Sequence, residues 1–423
     1  MKNFLLPIAI CLAALFNPIL AQKFENSYNL PGNELGNDIA ELSDGSIVTV
    51  GQSTSYGAGL NDMFVMKTTS SGSLLWIKYF GGSGEDAAKA VTIGPNDEIY
   101  AAGYKTAGSL KDGMLVKLDA NGVALWTKTF GGAGADEITD IGYRGNRLYM
   151  TGYTASAGAG AKDIWFLKTD TAGNSIQNKT HGYSADEEAN TLTFTADGNM
   201  VVAGRTASFT GFNVTIWTKK FNIYANSGFS LIPAVRGIAE LSDQNLVMTG
   251  YGWDGIGNYS STFHLRLNAN GNTVYLKWSM LLAEGGVDVA AGKNGSYYVL
   301  ISYSNFGTRI VLKKFDQAGT ETLYRNYQYP GGQSYANFSE PVRLRVISGA
   351  KLLITGSSNL RENNSDMYIS KLDSNGVAYT SAVPSITATG ALSFCAGGSV
   401  ILKVPSGYTR YSWGRHLQIN LPI

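Results

Sequence analysis

Residues 80–130 read FGGSGEDAAKAVTIGPNDEIYAAGYKTAGSLKDGMLVKLDANGVALWTKTF, a stretch that contains every element of the unit from which the chain is built. The stretch that follows, residues 130–177, reads FGGAGADEITDIGYRGNRLYMTGYTASAGAGAKDIWFLKTDTAGNSIQ and agrees with it in order and spacing. Short segments of alternating apolar and polar residues are separated by turn sequences such as PND and ANG. Each unit of about 50 residues therefore predicts four short antiparallel strands.

A small residue that closes the second strand recurs along the chain, with successive spacings of 52, 49, 52, 46, 52 and 54 residues. The seven copies of this anchor residue are Gly51, Gly103, Gly152, Gly204, Gly250, Ser302 and Gly356. Seven four-stranded units without a helical period predict an all-β fold, a seven-bladed β-propeller of four-stranded antiparallel blades. An open solenoid of the same units would expose two sheet edges. Residues 23–29 predict an extra outer strand that closes the ring against the last blade near residues 377–380.

The N-terminal sequence MKNFLLPIAICLAALFNPILAQ has the three parts of a secretory signal peptide, which predicts cleavage near Ala21. We therefore expect residues 1–21 to be removed and residues 22–383 to form the propeller of a protein secreted or held at the outer cell surface. No later segment is apolar enough to span a membrane. The 33 Lys and Arg against 32 Asp and Glu argue against a nucleic-acid partner, which needs a basic surface.

The pattern D-x-x-x-x-K-x-D-x-x-G-x-x-x-W-x-K-x-F-G-G in residues 112–132 resembles the SBBP-type β-propeller repeats of large secreted proteins of Bacteroidota. The resemblance extends over about residues 22–384, and the sequence from Ile386 resembles the start of the Ig-like domains that follow such propellers. It implies export by the type IX secretion system, although the sorting domain common in that family is absent here. We expect residues 384–423 to be a truncated, poorly ordered Ig-like β tail, because a sandwich domain needs about 100 residues.

Acidic residues recur at two positions of the unit. The first set, at the entry to the innermost strand, comprises Glu34, Asp86, Asp136 and Glu187. The second set, before the third strand, comprises Asp62, Asp112, Asp163 and Asp366. Clustered carboxylates at a channel mouth suit a cation or a polar ligand, whereas the same carboxylates can cap turns through local amides. Asp86, Asp136 and Glu187 are therefore predicted as candidate ligand-binding residues.

Aromatic residues follow the anchor in several units. The connections between strands one and two, and between three and four, are short, whereas those on the opposite face are longer, and binding residues usually lie on long loops. Stacking on sugar rings or peptide side chains is one role for such aromatics, and packing between blades is the alternative. The candidates on this long-loop face are Tyr104, Tyr153, Tyr251, Trp253 and Tyr303.

The sequence carries no recognisable catalytic motif. The three histidines lie far apart, and no nucleophile elbow, zinc-protease or phosphate-loop sequence occurs. We therefore predict no catalytic residues, no metal, no cofactor and no enzyme, but a monomeric, non-catalytic propeller that binds glycan or a surface protein, as in adhesion. A carbohydrate-active or other hydrolytic enzyme using the channel-mouth acids is one alternative, and an architectural spacer without a ligand is another.

Overall fold

The computed structural model describes residues 24–28, 30–207, 214–216, 234–253, 260–279, 284–303, 309–327, 343–361, 364–377, 387–389 and 401–403. The chain divides into two compact units, residues 1–378 and residues 379–423. The second unit contains, among its described residues, one short antiparallel strand pair. The truncated Ig-like tail stays a prediction, because most of it lies outside the described residues, as does the predicted signal peptide.

The strands of the first unit form antiparallel sheets in chain order. The chain begins with β1 (Phe24–Tyr28). Blade one consists of β2 (Glu34–Glu41), β3 (Ile47–Ser53), β4 (Asp62–Thr68) and β5 (Leu74–Phe80). Blade two consists of β6 (Ala87–Ile93), β7 (Ile99–Ala107), β8 (Leu110–Leu118) and β9 (Ala124–Phe130). Blade three consists of β10 (Asp136–Arg144), β11 (Arg147–Thr154), β12 (Asp163–Asp170) and β13 (Ser175–His181).

The remaining sheets are numbered by the repeat unit that supplies their inner strand. The fourth sheet consists of β14 (Glu187–Phe194), β15 (Met200–Thr206) and β16 (Val214–Ile216). Blade five consists of β17 (Ala234–Glu240), β18 (Leu246–Trp253), β19 (Ser260–Leu267) and β20 (Thr273–Trp278). Blade six consists of β21 (Glu284–Ala291), β22 (Tyr297–Tyr303), β23 (Arg309–Phe315) and β24 (Glu321–Tyr327). Blade seven contains β25 (Arg343–Ile347), β26 (Lys351–Arg361) and β27 (Asn364–Leu372), and the second unit holds β28 (Thr387–Thr389) and β29 (Ile401–Lys403).

The prediction of seven four-stranded blades is wrong, because the structure has six four-stranded blades and one sheet with three described strands. The exception is the fourth unit, where IWTKKFNIYANSG replaces the repeat sequence from residue 216 onward. That segment lacks the K-x-D-x-x-G turn that precedes the fourth strand in blades two, three and six. The all-β propeller of four-stranded antiparallel blades is confirmed for the other six units.

The inner strands place neighbouring sheets side by side around a closed ring. Each inner strand contacts the next, in the order β2, β6, β10, β14, β17, β21 and β25, and β25 contacts β2. Closure uses β1, which pairs antiparallel with β27 in the register Phe24 to Lys371 through Tyr28 to Met367. The predicted closing strand is therefore present, but its partner is the third strand of blade seven rather than residues 377–380.

A β-bulge recurs at one position of six inner strands. The bulged residues are Asn37, Lys89, Thr139, Asn190, Arg236 and Val287. Opposite this position lies the anchor residue of the second strand, and a Cβ on Gly51 or Gly103 would overlap the inner-strand carbonyl of Leu35 or Ala87. The anchor is therefore glycine because the bulge brings two backbones too close for a side chain.

Blade six departs from this rule by one residue. Gly286 pairs with Ile301 as Gly36 pairs with Gly51, so the structural anchor of the sixth unit is Ile301 and the assignment of Ser302 is wrong. A shift of one residue exchanges the two faces of a strand. The register of Tyr303 in blade six is therefore one residue away from that of Tyr104 in blade two.

The long-loop prediction also fails in blade two. Strands β7 and β8 remain paired as far as Ala107 and Leu110, which leaves a two-residue turn at Gly108 and Ser109. The chain therefore stays extended over residues 104–107 and 110–113, where a loop was expected. Blades one and three keep longer connections, residues 54–61 and 155–162.

The hydrophobic core lies between neighbouring blades. Ala88 packs in a cluster with blade one, and Ala90, two residues on, packs in a cluster with blade three. Both are fully buried. Small inner-strand residues therefore let the converging sheets approach closely, as predicted for a propeller centre.

Candidate functional site

The acids at the entry to the inner strands are buried and bond to nearby turns. Each accepts a hydrogen bond from the backbone amide four residues upstream. These bonds run from Gly82 to Asp86 (2.5 Å), from Gly132 to Asp136 (2.8 Å) and from Tyr183 to Glu187 (2.6 Å). Each acid also accepts a bond from the end of the second strand, from Thr106, Thr154 or Thr206. The structure thus places them as turn caps at the rim, the alternative that the sequence left open.

The second set of acids lies against the first across each blade junction. Asp62 accepts the amide of Gly59 at 3.0 Å and faces Asp86 of the next blade. Gly81 lies between them, and a Cβ there would overlap an oxygen of both carboxylates. The same arrangement joins Asp112 with Asp136 and Asp163 with Glu187. We call these three sets the rim acid pairs.

Two pKa values reflect the mutual repulsion of these acids. Burial raises the pKa of Asp112, and the neighbouring Asp136 raises it further. Burial likewise raises the pKa of Glu34, with a smaller contribution in the same direction from Asp366, although the Ser55 and Ser53 hydroxyls oppose it. Glu34 and Asp366 therefore continue the rim arrangement where blade seven meets blade one.

A different set of carboxylates joins the inner strands nearer the centre. The belt aspartates are Asp38, Asp140 and Asp288, each of which is buried directly after a bulge or its equivalent. Asp38 accepts the amide of Ile39 at 2.8 Å and that of Val91 in blade two at 3.0 Å. Asp140 bonds in the same way to the fourth sheet and Asp288 to blade seven.

Two arginines of β25 complete this belt. Arg345 Nη2 lies 2.8 Å from Asp38 Oδ1, and its Nη1 lies 3.6 Å from Asp288 Oδ2. Arg343 Nε lies 3.5 Å from Asp38 Oδ1. Burial alone would lower the pKa of Arg343, but Asp38, Asp140 and Asp288 outweigh it and raise that pKa above its usual value. The belt is thus a set of mutually compensating charges.

Above the belt, a group of charged and tyrosine side chains lies at the channel mouth. Tyr104 is buried, and Lys111 Nζ lies 3.8 Å from its ring centroid. Lys111 Nζ also lies 2.9 Å from Glu137 Oε2 of the next blade. Lys89, the bulged residue of β6, reaches the same carboxylate at 3.8 Å. Glu137 is therefore shared by two lysines.

Blade three repeats this arrangement. Lys162 Nζ lies 4.0 Å from the ring centroid of the buried Tyr153 and 2.7 Å from Glu188 Oε1. Arg205 approaches the two oxygens of Glu188 at 2.8 and 2.9 Å. Burial raises the pKa of Glu188, but the bonds from Arg205 and Lys162 outweigh it, so that this pKa lies below its usual value. Glu188 is also shared by two cations.

Blade five extends the group. Arg236, a bulged residue, lies 5.1 Å from the ring centroid of Tyr251 and donates to its hydroxyl at 3.4 Å. Burial lowers the pKa of Lys89; Glu137 opposes this, and the like charges of Lys111 and Arg236 add to it. We call the whole set the mouth arc: Tyr104, Tyr153, Tyr251, Lys89, Lys111, Lys162, Arg205, Arg236, Glu137 and Glu188.

The structure therefore gathers three of the predicted aromatics in one place. Tyr104, Tyr153 and Tyr251 belong to the mouth arc, whereas the side chains of Trp253 and Tyr303 lie outside the described part of the chain. Their role in ligand binding, like that of the rim acids Asp86, Asp136 and Glu187, stays a prediction.

Sequence reasoning missed the charged members of the mouth arc. A Lys-Asp dipeptide precedes the third strand at residues 111–112 and 162–163, and an acidic pair opens the inner strand at residues 136–137 and 187–188. In each pair the previously noted acid is the buried cap, and its neighbour points to the mouth. Because successive strand residues face opposite sides, these dipeptides were the available signal.

Among the residues that the structure describes, no group of three or more His, Cys, Asp or Glu is placed to hold a metal ion. The predicted absence of a metal and of a cofactor stays a prediction. The described residues include no helix with the length and apolar character of a membrane span.

Comparison with known proteins gives a family match and a set of similar folds. Residues 42–74 match the family described as "Domain of unknown function (DUF5122) beta-propeller". No curated protein matches the sequence. The chain is thus a β-propeller repeat protein in both sequence and fold.

Solved structures with a similar fold share little sequence with the chain. The WD40 propeller domain of Doa1 is 10% identical at a TM-score of 0.49, covering 82% of this chain and 97% of that one. The periplasmic gluconolactonase PpgL of Pseudomonas aeruginosa is 12% identical at a TM-score of 0.47, covering 71% and 87%. The GH93 α-L-arabinofuranosidase of Fusarium graminearum is 10% identical at a TM-score of 0.47, covering 83% and 98%.

These comparisons correct the prediction that the protein is not an enzyme. The propellers that the chain is similar to include a gluconolactonase and arabinofuranosidases beside the WD40 domain. Fold similarity at this identity does not separate binding from catalysis. Any function therefore depends on the side chains at the site and not on the fold alone.

Proposed function

We propose that the protein binds a carboxylate-bearing glycan at the channel mouth, on the long-loop face. The observation that carries this proposal is the charge ratio of the mouth arc, where each of two glutamates is shared by two cations. Together these two sets place four cations beside two carboxylates. Within these ion pairs each glutamate balances only one of its two cations, so a ligand carboxylate can join the group and gain attraction.

The solvent-exposed groups of the mouth arc are its cationic side chains, whereas two of its tyrosine rings are buried. Tyr104 and Tyr153 are only 6% and 8% exposed, and a lysine covers each ring. Lys111 and Lys162 are about one-third exposed, and Arg205 more so. Recognition would thus proceed by ionic hydrogen bonds, and Tyr251, half-buried beside Arg236, remains for contact with a sugar ring.

The repetition of the arrangement favours a polymer over a single small anion. The set of tyrosine, lysine and next-blade glutamate occurs in blade two and again in blade three. Two equivalent sites in neighbouring blades suit a chain that carries carboxylates at regular intervals, and joining two weak contacts raises affinity. The predicted export of the protein would bring it into contact with such extracellular polymers.

Calorimetric titration with polygalacturonate, and with a neutral galactan of similar length as the control ligand, tests the proposal. Replacing Lys111 and Lys162 with glutamine should weaken polygalacturonate binding about a hundredfold, since each lost ionic contact corresponds to about tenfold. Raising the salt concentration should weaken binding of the native protein in the same direction. Size analysis of the polymer after incubation determines whether binding is accompanied by cleavage.

Lys168→Gln is the matched control, because Lys168 Nζ lies 5.1 Å from the ring centroid of Tyr149 on the opposite, short-turn face. It should bind polygalacturonate like the native protein. Equal affinity for the neutral galactan, or undiminished binding by the double variant, would contradict the proposal.

A further inference from the structure

A recurring cation joins neighbouring blades on the short-turn face. It occupies the second or third residue from the end of the third strand. Lys67 of blade one donates to the carbonyl of Ala120 in the next blade at 3.0 Å and lies 3.8 Å from Asp44. Arg266 of blade five bonds in the same way to the Gln317 carbonyl and to Asp243. The cation thus has a carboxylate on one side and a turn carbonyl on the other.

Blade seven follows the same plan with a different acid. Lys371 Nζ lies 3.5 Å from the Ser70 carbonyl of blade one and 3.3 Å from Glu41 Oε1. Ala120, Gln317 and Ser70 are the same residue of the turn between the third and fourth strands. In blades one, five and seven the buried cation therefore has the same two kinds of partner, a turn carbonyl and a carboxylate.

Blade six carries the equivalent cation but has lost the carboxylate. Lys314 pairs with Tyr298 in the register in which Lys67 pairs with Val48. In the turn between the first two strands, Asn294 stands where Asp44 and Asp243 stand in blades one and five. Lys293 stands where those blades have serine. The turn has therefore exchanged a negative for a neutral side chain and gained a positive one.

The backbone carbonyl that would accept a hydrogen bond from this cation already accepts one from another side chain. The equivalent turn carbonyl of blade seven belongs to Ser374, and the hydroxyl of Tyr298 donates to it at 2.9 Å. Lys314 Nζ lies 5.1 Å from the Tyr298 ring centroid instead. No carboxylate of the described residues lies within ion-pair distance of Lys314 or Lys293.

Both lysines line a cavity of about 450 Å³ between blades six and seven. Tyr298, Thr322 and Ser296 line it as well, together with Asp316. The Asp316 Oδ1 atom accepts the amides of Ala318 and Thr320 at 2.9 and 2.8 Å, so this carboxylate caps its own turn. A volume of this size accommodates a small organic ligand.

We propose that this cavity is a second ligand site, which takes a small molecule bearing an oxyanion between Lys293 and Lys314. The oxyanion replaces the carboxylate that stands beside this cation in blades one, five and seven, so the ligand completes a pattern that blade six leaves open. The site lies on the face opposite the channel mouth and does not depend on the function proposed above. Carboxylate, sulfate and phosphate groups share the required chemistry.

Titration calorimetry at constant ionic strength with D-glucuronate, inorganic sulfate and inorganic phosphate separates the possible sources of the oxyanion. At least one of the three should bind the native protein, and the order of the three affinities identifies the preferred group. Lys314→Gln and Lys293→Ser should each weaken that binding about tenfold or more. Asn294→Asp, which installs the acid of blades one and five, should abolish it while the melting temperature confirms an intact fold.

Lys168→Gln again serves as the matched control, since Lys168 occupies the equivalent strand position in blade three. It should leave the affinity unchanged. The proposal is overturned if none of the three anions binds at millimolar concentration. It is equally overturned if Asn294→Asp binds as well as the native protein, and this variant remains informative should Lys314→Gln fail to fold.

Discussion

The belt aspartates and the rim acid pairs both consist of carboxylates, but their electrostatic surroundings are opposite. Asp38 of the belt bonds to amides of two blades and to the arginines of β25. Asp62 and Asp86 of the rim instead face each other around Gly81, and no basic side chain of the described residues lies within ion-pair distance of either. The belt charges therefore stabilise the ring by attraction. The rim carboxylates repel each other, but they accept the backbone amides that hold their turns.

The largest effect should follow from breaking the belt. Asp38→Ala should lower the free energy of unfolding by about 3–5 kcal/mol, because it leaves buried arginine charge and the Val91 amide without their partner. Urea denaturation at neutral pH measures it. Asp170→Ala, which removes an exposed turn cap, is the control and should lower the free energy of unfolding much less. Equal losses in the two variants would remove the distinction between belt and turn.

A smaller loss should follow from filling the rim. Gly81→Ala should lower the free energy of unfolding by about 1–3 kcal/mol, because the added Cβ overlaps carboxylate oxygens of Asp62 and Asp86. Gly108→Ala is the matched control, since nothing lies within 4 Å of its added Cβ and its φ is also positive. Thermal unfolding compares the two, and a loss no greater at Gly81 would show that the rim acids can move apart.

The smallest expected effect is an increase in stability, on replacement of Asp112. Because the folded-state pKa of Asp112 is raised by burial and by Asp136, ionisation of Asp112 destabilises the folded protein. Its contribution to stability is therefore highest below the ordinary aspartate pKa and decreases as the pH rises through the raised value. Between the ordinary aspartate pKa and the raised value, Asp112→Asn should become more stable than the native protein as the pH rises. Above the raised value, the difference in the free energy of unfolding between the two proteins should be constant. Unfolding free energies measured from pH 3 to 7 follow the trend, and a pH-independent difference would contradict it.

The repeat made most of this architecture predictable. Alternating strands and turn sequences report local backbone preferences, and a constant period needs no knowledge of long-range contacts. The closing strand was also accessible, because residues 24–28 resemble an outer strand without a blade of their own. The prediction of seven four-stranded blades was wrong at the fourth unit, whose sequence lacks the turn that precedes the fourth strand in other units.

The residues of the candidate sites were harder to predict. Glu284 occupies the register of Glu34 in blade six, yet it escaped notice because Ile301 replaces the anchor glycine and Ser302 follows it. The mouth arc and the cavity depend on contacts between neighbouring blades. Such contacts join residues about half a repeat to a full repeat apart, as in Lys111 with Glu137 and Lys67 with Ala120, and no local pattern marks them. The replacement of Asp44 by Asn294 becomes informative only when the sheets are aligned by hydrogen-bond register.

The pairing of β1 with β27 determines how the propeller responds to mechanical load. Phe24 lies opposite Lys371, so the chain enters and leaves this strand pair at the same end. Tension between the two termini of the ring would separate the strands one hydrogen-bonded pair at a time, beginning at Phe24, instead of loading all five pairs at once. The ring is therefore closed by a strand pair that can separate sequentially. In a protein held under tension from both sides, β1 would detach from β27 before the strands inside a blade separate.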